Sequence, residues 1–274
     1  RGDGYPGHEY SSSAGTDFVS FDNKGFTLGG VNQFNGINNA SNIVAWGWKA
    51  GGNSDTYNID DVGYGTTTAA GLDGSLVSDG LSANTKSGFS IIKYAGNSIS
   101  GSTLSHGLSS TPSFMLIKNL TDTGSDAYGW RVYHKDLTSG YVLFLNNTSA
   151  ETSQSFLAPN ANYVRLNSNQ GVNVTGKNYI CYAWHDVPGL QKFSSYIGNG
   201  NTDGPFVELG FRPALIIFRN TGGPHIWGIY DNTRDTYNVA DKFLRANGSD
   251  VEGTAVGVDF LSNGFKIRGL QGFY

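Results

Sequence analysis

The sequence predicts an all-β protein built from tandem antiparallel β-sandwich modules of the jelly-roll type, with an internal repeat of about 103 residues. Three observations predict this fold. Short runs of β-branched and aromatic residues alternate with Asn-Gly, Gly-Asn and Asp-Gly pairs, which are typical of hairpin turns. Apolar residues almost nowhere keep the 3.6-residue period of a helix. Blocks of sequence also recur in the same order and at concordant spacing.

Strands are predicted wherever a short apolar or aromatic run is bounded by turn residues. One segment, residues 238–246, has a weak helical pattern instead. In chain order, the predicted strands are residues 17–21, 25–28, 43–48, 89–94, 114–118, 130–134, 141–145, 163–166, 179–184, 192–196, 214–219, 226–230 and 265–268.

The repeat is clearest in the second half of the chain. The stretch FMLIKN at 114–119 recurs as LIIFRN at 215–220. Similarly, WRVYH at 130–134 recurs as WGIYD at 227–231. Because both pairs occur in the same order with nearly the same offset, they predict two copies of one structural unit.

The N-terminal region carries the other half of this unit. IVAWGWK at 43–49 matches YICYAWH at 179–185, and the segment 17–26 matches 259–265. The offsets agree when about 33 extra residues are allowed in the first interval. Residues 51–86 are polar and rich in small residues, so we interpret them as a surface insertion between modules.

Four segments follow from this pattern. They are the C-terminal half of a first β-module (1–50), a polar inter-module insertion (51–86), a complete second β-module (87–187) and a third β-module lacking its last strand (188–274).

Composition excludes several classes of function. Charged residues make up 15% of the chain, the net charge is −4, and Lys and Arg form no stripe of the kind that nucleic acids need. No apolar stretch approaches the length of a membrane span, so neither nucleic-acid binding nor membrane insertion is predicted. The single cysteine, Cys181, lies in an apolar run and is expected to be a buried small side chain.

Several phrases of the sequence occur together and in a fixed order. They include GFTLG at 25–29, VAWGWKAGG at 44–52, SANTKSGFS at 82–90, GNGNTDGPF at 198–206, GFRP at 210–213 and DFLSNGF at 259–265. Together they resemble a repeated module of virion structural and tail-fibre-like proteins of marine bacteriophages, including phages of cyanobacteria. The resemblance spans nearly the whole chain. It implies a location on the virion surface and a β-sandwich-like module, and it supplies no catalytic residues.

No catalytic arrangement is predicted from the residues themselves. The chain lacks a Gly-x-Ser-x-Gly elbow that would present a nucleophile beside His134 or His185. The carboxylates Asp231, Asp241 and Glu208 show no spacing that marks a pair of glycosidase residues. The sequence therefore predicts a protein that is not an enzyme.

Metal and cofactor sites are equally weak. Residues 199–204 resemble the start of a calcium loop, but position twelve is Gly210, where a carboxylate is needed, so a hairpin turn is favoured. Asp55, Asp60 and Asp61 form a still weaker candidate. We predict no metal and no cofactor.

Loop aromatics are the best candidates for ligand contact. Tyr57, Tyr64 and Tyr128 are predicted to lie in loops, where their rings can stack on sugars. The predicted function is that of a phage virion structural protein, a tail fibre or surface appendage that mediates host-surface adhesion. The alternatives are a purely structural scaffold, such as a capsid decoration or fibre shaft, and a secreted carbohydrate-active enzyme. The expected partners are virion or fibre subunits, host surface polysaccharide and further copies in a homo-oligomer, at the virion surface or outside the cell.

Overall fold

The computed structural model describes residues 18–22, 25–29, 43–122, 125–154 and 158–272. The regular secondary structure of these residues is almost entirely β, and the one helical element among them is a 3₁₀ turn at Asp126–Tyr128. The predicted all-β class is therefore confirmed, whereas the tandem-sandwich arrangement stays a prediction. In the described part of the chain, no helix has the length and apolar character needed to cross a membrane.

Nineteen strands are formed within the described residues. In chain order they are β1 (Phe18–Asp22), β2 (Gly25–Leu28), β3 (Tyr57–Ile59), β4 (Val62–Tyr64), β5 (Ser78–Asn84), β6 (Phe89–Ala95), β7 (Ser102–Ser105), β8 (Phe114–Asn119), β9 (Arg131–His134), β10 (Tyr141–Phe144), β11 (Thr152–Ser153), β12 (Tyr163–Leu166), β13 (Asn178–Trp184), β14 (Phe206–Glu208), β15 (Leu215–Phe218), β16 (Gly228–Asp231), β17 (Ala240–Arg245), β18 (Gly253–Leu261) and β19 (Gly264–Ile267).

The larger sheet contains nine strands in the order β11-β10-β9-β8-β13-β6-β5-β3-β4. Its neighbours are antiparallel except for β3 and β5, which are parallel. The central strand, β13, pairs along its length with β6 on one side and β8 on the other. A separate antiparallel pair, β7 with β12, contributes Leu104, Val164 and Leu166 to the core that this sheet shares.

Alternation along β13 builds that core. Tyr179, Cys181 and Ala183 are fully buried and belong to the cluster, while Ile180 and Tyr182 between them are only half-buried. The prediction that Cys181 is a buried small side chain is confirmed, and burial raises the pKa of its thiol.

The smaller sheet has six strands in the order β14-β19-β18-β17-β16-β15. Its core is rich in aromatic residues, among them Phe218, Tyr230, Phe243, Phe260 and Phe265. The strands β15, β16 and β17 pair in the same antiparallel order as β8, β9 and β10, and β14 pairs with β19 as β7 pairs with β12. This correspondence supports the repeat found in the sequence, although the module boundaries stay a prediction.

A third cluster joins the two sheets. Val132 and Leu143 of the larger sheet are buried against Trp227, which immediately precedes β16 of the smaller one. The Trp227 indole Nε1 donates a hydrogen bond of 2.8 Å to the carbonyl oxygen of Phe144. Phe193 also stacks on Phe114, with 5.3 Å between ring centroids. The two sheets therefore share an apolar contact anchored by Trp227.

The interpretation of residues 51–86 as a surface insertion is wrong. The segment forms β3, β4 and β5, and β5 lies inside the nine-stranded sheet. Leu76, Leu81 and Ala83 from this segment are buried in the core. The polar composition concealed the strand because β5 is built largely from small Ser, Gly and Ala residues, which fill tight positions between larger neighbours.

Three further predictions about elements are corrected. Residues 238–246 contain the strand β17, not a helix. Residues 43–48 and 192–196 were predicted as strands, but neither forms one. A strand needs a hydrogen-bonded neighbour, and no described strand pairs with either segment, so a suitable composition alone does not make them strands.

Candidate functional site

A cleft of about 270 Å³ opens beside the β9–β10 edge of the larger sheet. Strands β9 and β10 supply one wall. The 3₁₀ turn before β9 and the segments that follow β11 and β12 supply the rest of the lining. The residues that line it are Ala127, Arg131, Phe144, Gln154, Asn169 and Gln170.

Arg131 forms the floor of this cleft. It is the first residue of β9, and only 3% of its surface is exposed. Its guanidinium carbon lies 4.4 Å from the ring centroid of Phe144, and Nη2 donates to the carbonyl oxygen of Ala127 at 2.9 Å. Gly171 allows this approach, because a Cβ there would lie 2.7 Å from Arg131 Nε. The guanidinium is thus held rigidly by an aromatic ring and backbone.

Amide side chains form the rim. Asn169 Nδ2 donates to Gln154 Oε1 at 2.9 Å, and Asn169 Oδ1 accepts a hydrogen bond of 2.8 Å from the backbone N–H of Gly171. Gln170 is exposed, while its carbonyl oxygen accepts from the buried Tyr179 hydroxyl at 3.0 Å. The rim therefore presents amide groups whose orientation the neighbouring backbone fixes.

A second buried cation lies near Arg131. Lys118 is 4% exposed, and its Nζ donates to the carbonyl oxygens of Asn119 at 2.7 Å and Tyr128 at 3.0 Å. Burial is the main cause that lowers the pKa of Lys118, and the charge of Arg131 lowers it further, while Asp122 opposes both. None of the six lining residues is acidic, and Arg131 is the one charged residue among them.

The cleft offers several groups that can bind a polar ligand. The lining side chains offer amide donors and acceptors, one guanidinium and one aromatic ring. They include no Ser, Cys or His nucleophile or base, and no facing pair of carboxylates of the kind that glycoside hydrolysis uses. A neutral or anionic polar ligand fits this chemistry.

Two of the three tyrosines expected in loops lie in strands. Tyr57 is in β3 and Tyr64 is in β4, directly opposite each other. Tyr57 packs against the first core, and its hydroxyl donates to the carbonyl oxygen of Ser78 at 2.9 Å. The loop prediction for this pair is wrong, because their segment belongs to the sheet.

Tyr128 ends the 3₁₀ turn and lies next to the cleft residue Ala127. The structure does not bring the three tyrosines together, since β3 and β4 end the nine-stranded sheet opposite to β9, β10 and β11. Ligand contact by any of the three stays a prediction.

The cleft residues were missed in the sequence, although one signal pointed to them. The repeat aligns Arg131 with Gly228, so a charged residue occupies an otherwise apolar strand position in one copy alone. A buried charge needs a specific environment, which makes such a difference between repeats informative. The amides of Gln154 and Asn169 carry no comparable signal in so Asn-rich a chain.

The candidate cation loops are occupied by internal contacts. Asp203 pairs with Lys266 Nζ at 2.9 Å, and this contact is the main cause that lowers the pKa of its carboxyl. Asp61 pairs with Lys49 at 3.1 Å, and Asp60 accepts a hydrogen bond from the backbone N–H of Thr85 at 2.8 Å. Across the residues that the structure describes, no three His, Cys, Asp or Glu side chains are grouped to hold a metal ion.

Comparison with known protein families gives a match over most of the chain. A family described as "Domain of unknown function (DUF7483)" matches residues 6–273. Searches of curated proteins and of solved structures find no match.

Proposed function

The chain belongs to the DUF7483 family, a domain of unknown function, and we propose that it is a non-catalytic binding module of a virion surface appendage that adheres to an acidic polysaccharide on the host surface. The observation that carries this proposal is the cleft over Arg131 with its rim of amides. The virion location comes from the resemblance of the sequence phrases described above.

The chemistry of the cleft matches an acidic sugar. Amide groups both donate and accept hydrogen bonds, so Gln154 and Asn169 can satisfy sugar hydroxyls. The positive charge of Arg131 and Lys118 favours a carboxylate or sulfate group, even though most of their donors are already used by carbonyl oxygens. A volume of about 270 Å³ lies just below the roughly 300–1,000 Å³ of small-molecule sites, so the cleft can hold only a small part of a polymer.

Adhesion by such a site depends on many copies. A single shallow contact of this kind is weak, but an appendage that presents the module repeatedly gains avidity without any new contact. Low charge and a hydroxyl- and amide-rich surface are compatible with this passive role.

Binding to polygalacturonate, with neutral dextran for comparison, tests the proposal. We expect the chain to bind the acidic polymer more tightly, and Asn169→Ala to weaken that binding by up to about tenfold, the effect of one or two hydrogen bonds. Asn199→Ala, which changes an exposed amide of another loop, is the matched control and should bind like the wild type. Equal binding by all three proteins would contradict the assignment of the cleft.

The same assay separates the alternatives. Absence of binding to either polymer, together with self-association, would favour a purely structural scaffold. Steady release of reducing ends from the polymer would favour a secreted carbohydrate-active enzyme.

A further inference from the structure

The strand β15 lies at the end of the six-stranded sheet. It pairs with β16 on one side, and no other described strand pairs with its second side. Its counterpart in the repeat, β8, is not an edge strand, because β13 pairs with it over six residues. The free side of β15 is therefore the position that a strand like β13 occupies in the larger sheet, and a free edge is a site for strand addition.

Residues 43–48 have the sequence of such a strand. The alignment of IVAWGWK with YICYAWH places the small residues Ala45 and Gly47 on the face that β13 turns to its core, and Trp46 and Trp48 on the outer face. The core-facing Tyr179, Cys181 and Ala183 correspond to Ile43, Ala45 and Gly47, and the outer Ile180, Tyr182 and Trp184 correspond to Val44, Trp46 and Trp48.

Both segments leave large apolar side chains in water. Ile43, Trp46 and Trp48 are 55%, 37% and 44% exposed, and Ile217 of β15 is 46% exposed. Scattered apolar residues on a surface are ordinary, but here they belong to two segments that the repeat marks as partners. Pairing them would remove this apolar surface from water.

We propose that copies of this chain join head to tail, with residues 43–48 of one copy added as an antiparallel strand to the free side of β15 in the next. The register follows from the larger sheet, where Cys181 lies opposite Ile117 and Tyr182 lies opposite Leu116. Transferred through the repeat, this register places Ala45 opposite Phe218 and Trp46 opposite Ile217.

The transferred register is sterically consistent. Ile216 and Phe218 are buried in the second core, and the residues that would face them, Gly47 and Ala45, are small. On the outer side, the Trp46 ring would cover the exposed Ile217. The ring of Tyr196, whose centroid lies 6.3 Å from that of Phe218, would move to make room for the added strand. Residues 192–196 would then pair with the other side of that strand, as β6 pairs with β13.

A second copy is the occupant because the chain does not make this pairing itself. Both segments are described, and they are not paired. Lys49 Nζ forms an ion pair with Asp61 Oδ2 at 3.1 Å, and the carbonyl oxygen of Lys49 accepts a hydrogen bond from Ser87 Oγ at 2.6 Å. The Trp48 ring packs edge-on against the Trp184 ring, with 6.0 Å between ring centroids. These contacts hold the end of the segment beside the larger sheet. A head-to-tail contact leaves one free strand and one free edge at the two ends, so it builds an open chain of copies.

Mixed disulfide trapping tests the pairing. One protein carries Trp46→Cys and the other Ile217→Cys, and both keep the buried Cys181. Residues directly opposite in antiparallel strands have Cα atoms about 4.5–5.5 Å apart, within the range of a disulfide. We expect mild oxidation to give a covalent dimer in the mixture and little in either protein alone. The control mixture pairs Trp46→Cys with Val62→Cys, which is 52% exposed but lies in β4, and should give no more dimer than background.

Self-association gives a second readout. Sedimentation of the wild type should show species that grow with concentration, and Ile217→Lys, a charge on the free edge, should abolish them while leaving the circular dichroism spectrum unchanged. A wild type that stays monomeric at every concentration would overturn the proposal, as would equal trapping in both mixtures. A single chain carrying both cysteines that closes its disulfide within the monomer would assign the strand to the same copy and would also overturn it. None of these outcomes depends on polysaccharide binding.

Discussion

Replacing Trp227 tests the contact between the two sheets. The side chain is 4% exposed and belongs to a cluster with Val132 and Leu143 of the other sheet. Its indole N–H donates to the carbonyl oxygen of Phe144 at 2.8 Å. Trp227→Ala removes both the buried ring and this hydrogen bond.

The expected cost follows from these two contributions. Deleting a large buried aromatic typically lowers the free energy of unfolding by about 3–5 kcal/mol. Leaving a buried carbonyl oxygen without its donor accounts for roughly 1–3 kcal/mol of such a change. Trp227→Phe retains much of the ring and loses the donor, so its cost should fall in this lower range.

The matched control is Trp130→Ala, at the equivalent position of the other repeat. Trp130 is only half-buried and stacks on Tyr182 with 6.0 Å between ring centroids. The sequence alone predicts equal costs for the two tryptophans, whereas the structure predicts a smaller cost for Trp130. Scanning calorimetry checks this order. We also expect the wild type to unfold in one transition and Trp227→Ala to unfold in two, because the sheets lose their shared cluster. A cost for Trp130→Ala that equals or exceeds that of Trp227→Ala would refute the reasoning.

Two further predictions concern stability. Tyr57→Phe removes the hydrogen bond to the carbonyl oxygen of Ser78 and should lower the free energy of unfolding in urea by about 1 kcal/mol, while Tyr64→Phe in the opposite strand should be nearly neutral. Equal effects would contradict the assigned role of Tyr57. Burial lowers the pKa of His106 in the folded protein, so the stability it confers is present above the unfolded pKa of about 6.5 and is lost as the pH falls below it. The urea midpoint should therefore fall less between pH 7.5 and pH 5.5 in His106→Asn than in the wild type. Part of the fall should persist in the variant, because the pKa of His134 is lowered as well. An unchanged pH dependence in the variant would refute this assignment.

Strands with large side chains were predictable from the sequence. Residues 89–94, 114–118 and 163–166 carry aromatic or β-branched residues between turn signals, and the structure places β6, β8 and β12 there. β5 was missed because its Ser, Gly and Ala side chains give little hydrophobic signal, although its neighbours bury it. The composition of a segment indicates how much apolar side chain it can bury, but it does not indicate whether larger neighbouring residues will enclose the segment.

Segments 43–48 and 192–196 show the opposite error. Their composition is that of strands, but pairing is a property of two segments, and composition describes only one.

The cleft was unpredictable for a related reason. Its floor and rim come from residues up to about forty positions apart, which meet only through the pairing of β9 with β10 and the course of the segments beyond them.

The position of β13 in the nine-stranded sheet has a consequence for synthesis. It is the central strand, yet it is the last strand of that sheet in the chain, and it pairs Cys181 with Ile92, some ninety residues earlier. While the chain emerges from the ribosome, β6 and β8 must wait with unpaired edges until β13 appears. Such long-range pairing forms slowly, and until it forms the unpaired strand edges can associate with other segments. Residues 43–48 are made earlier and resemble β13 in sequence, so we expect them to compete for that gap and to slow the folding of the sheet.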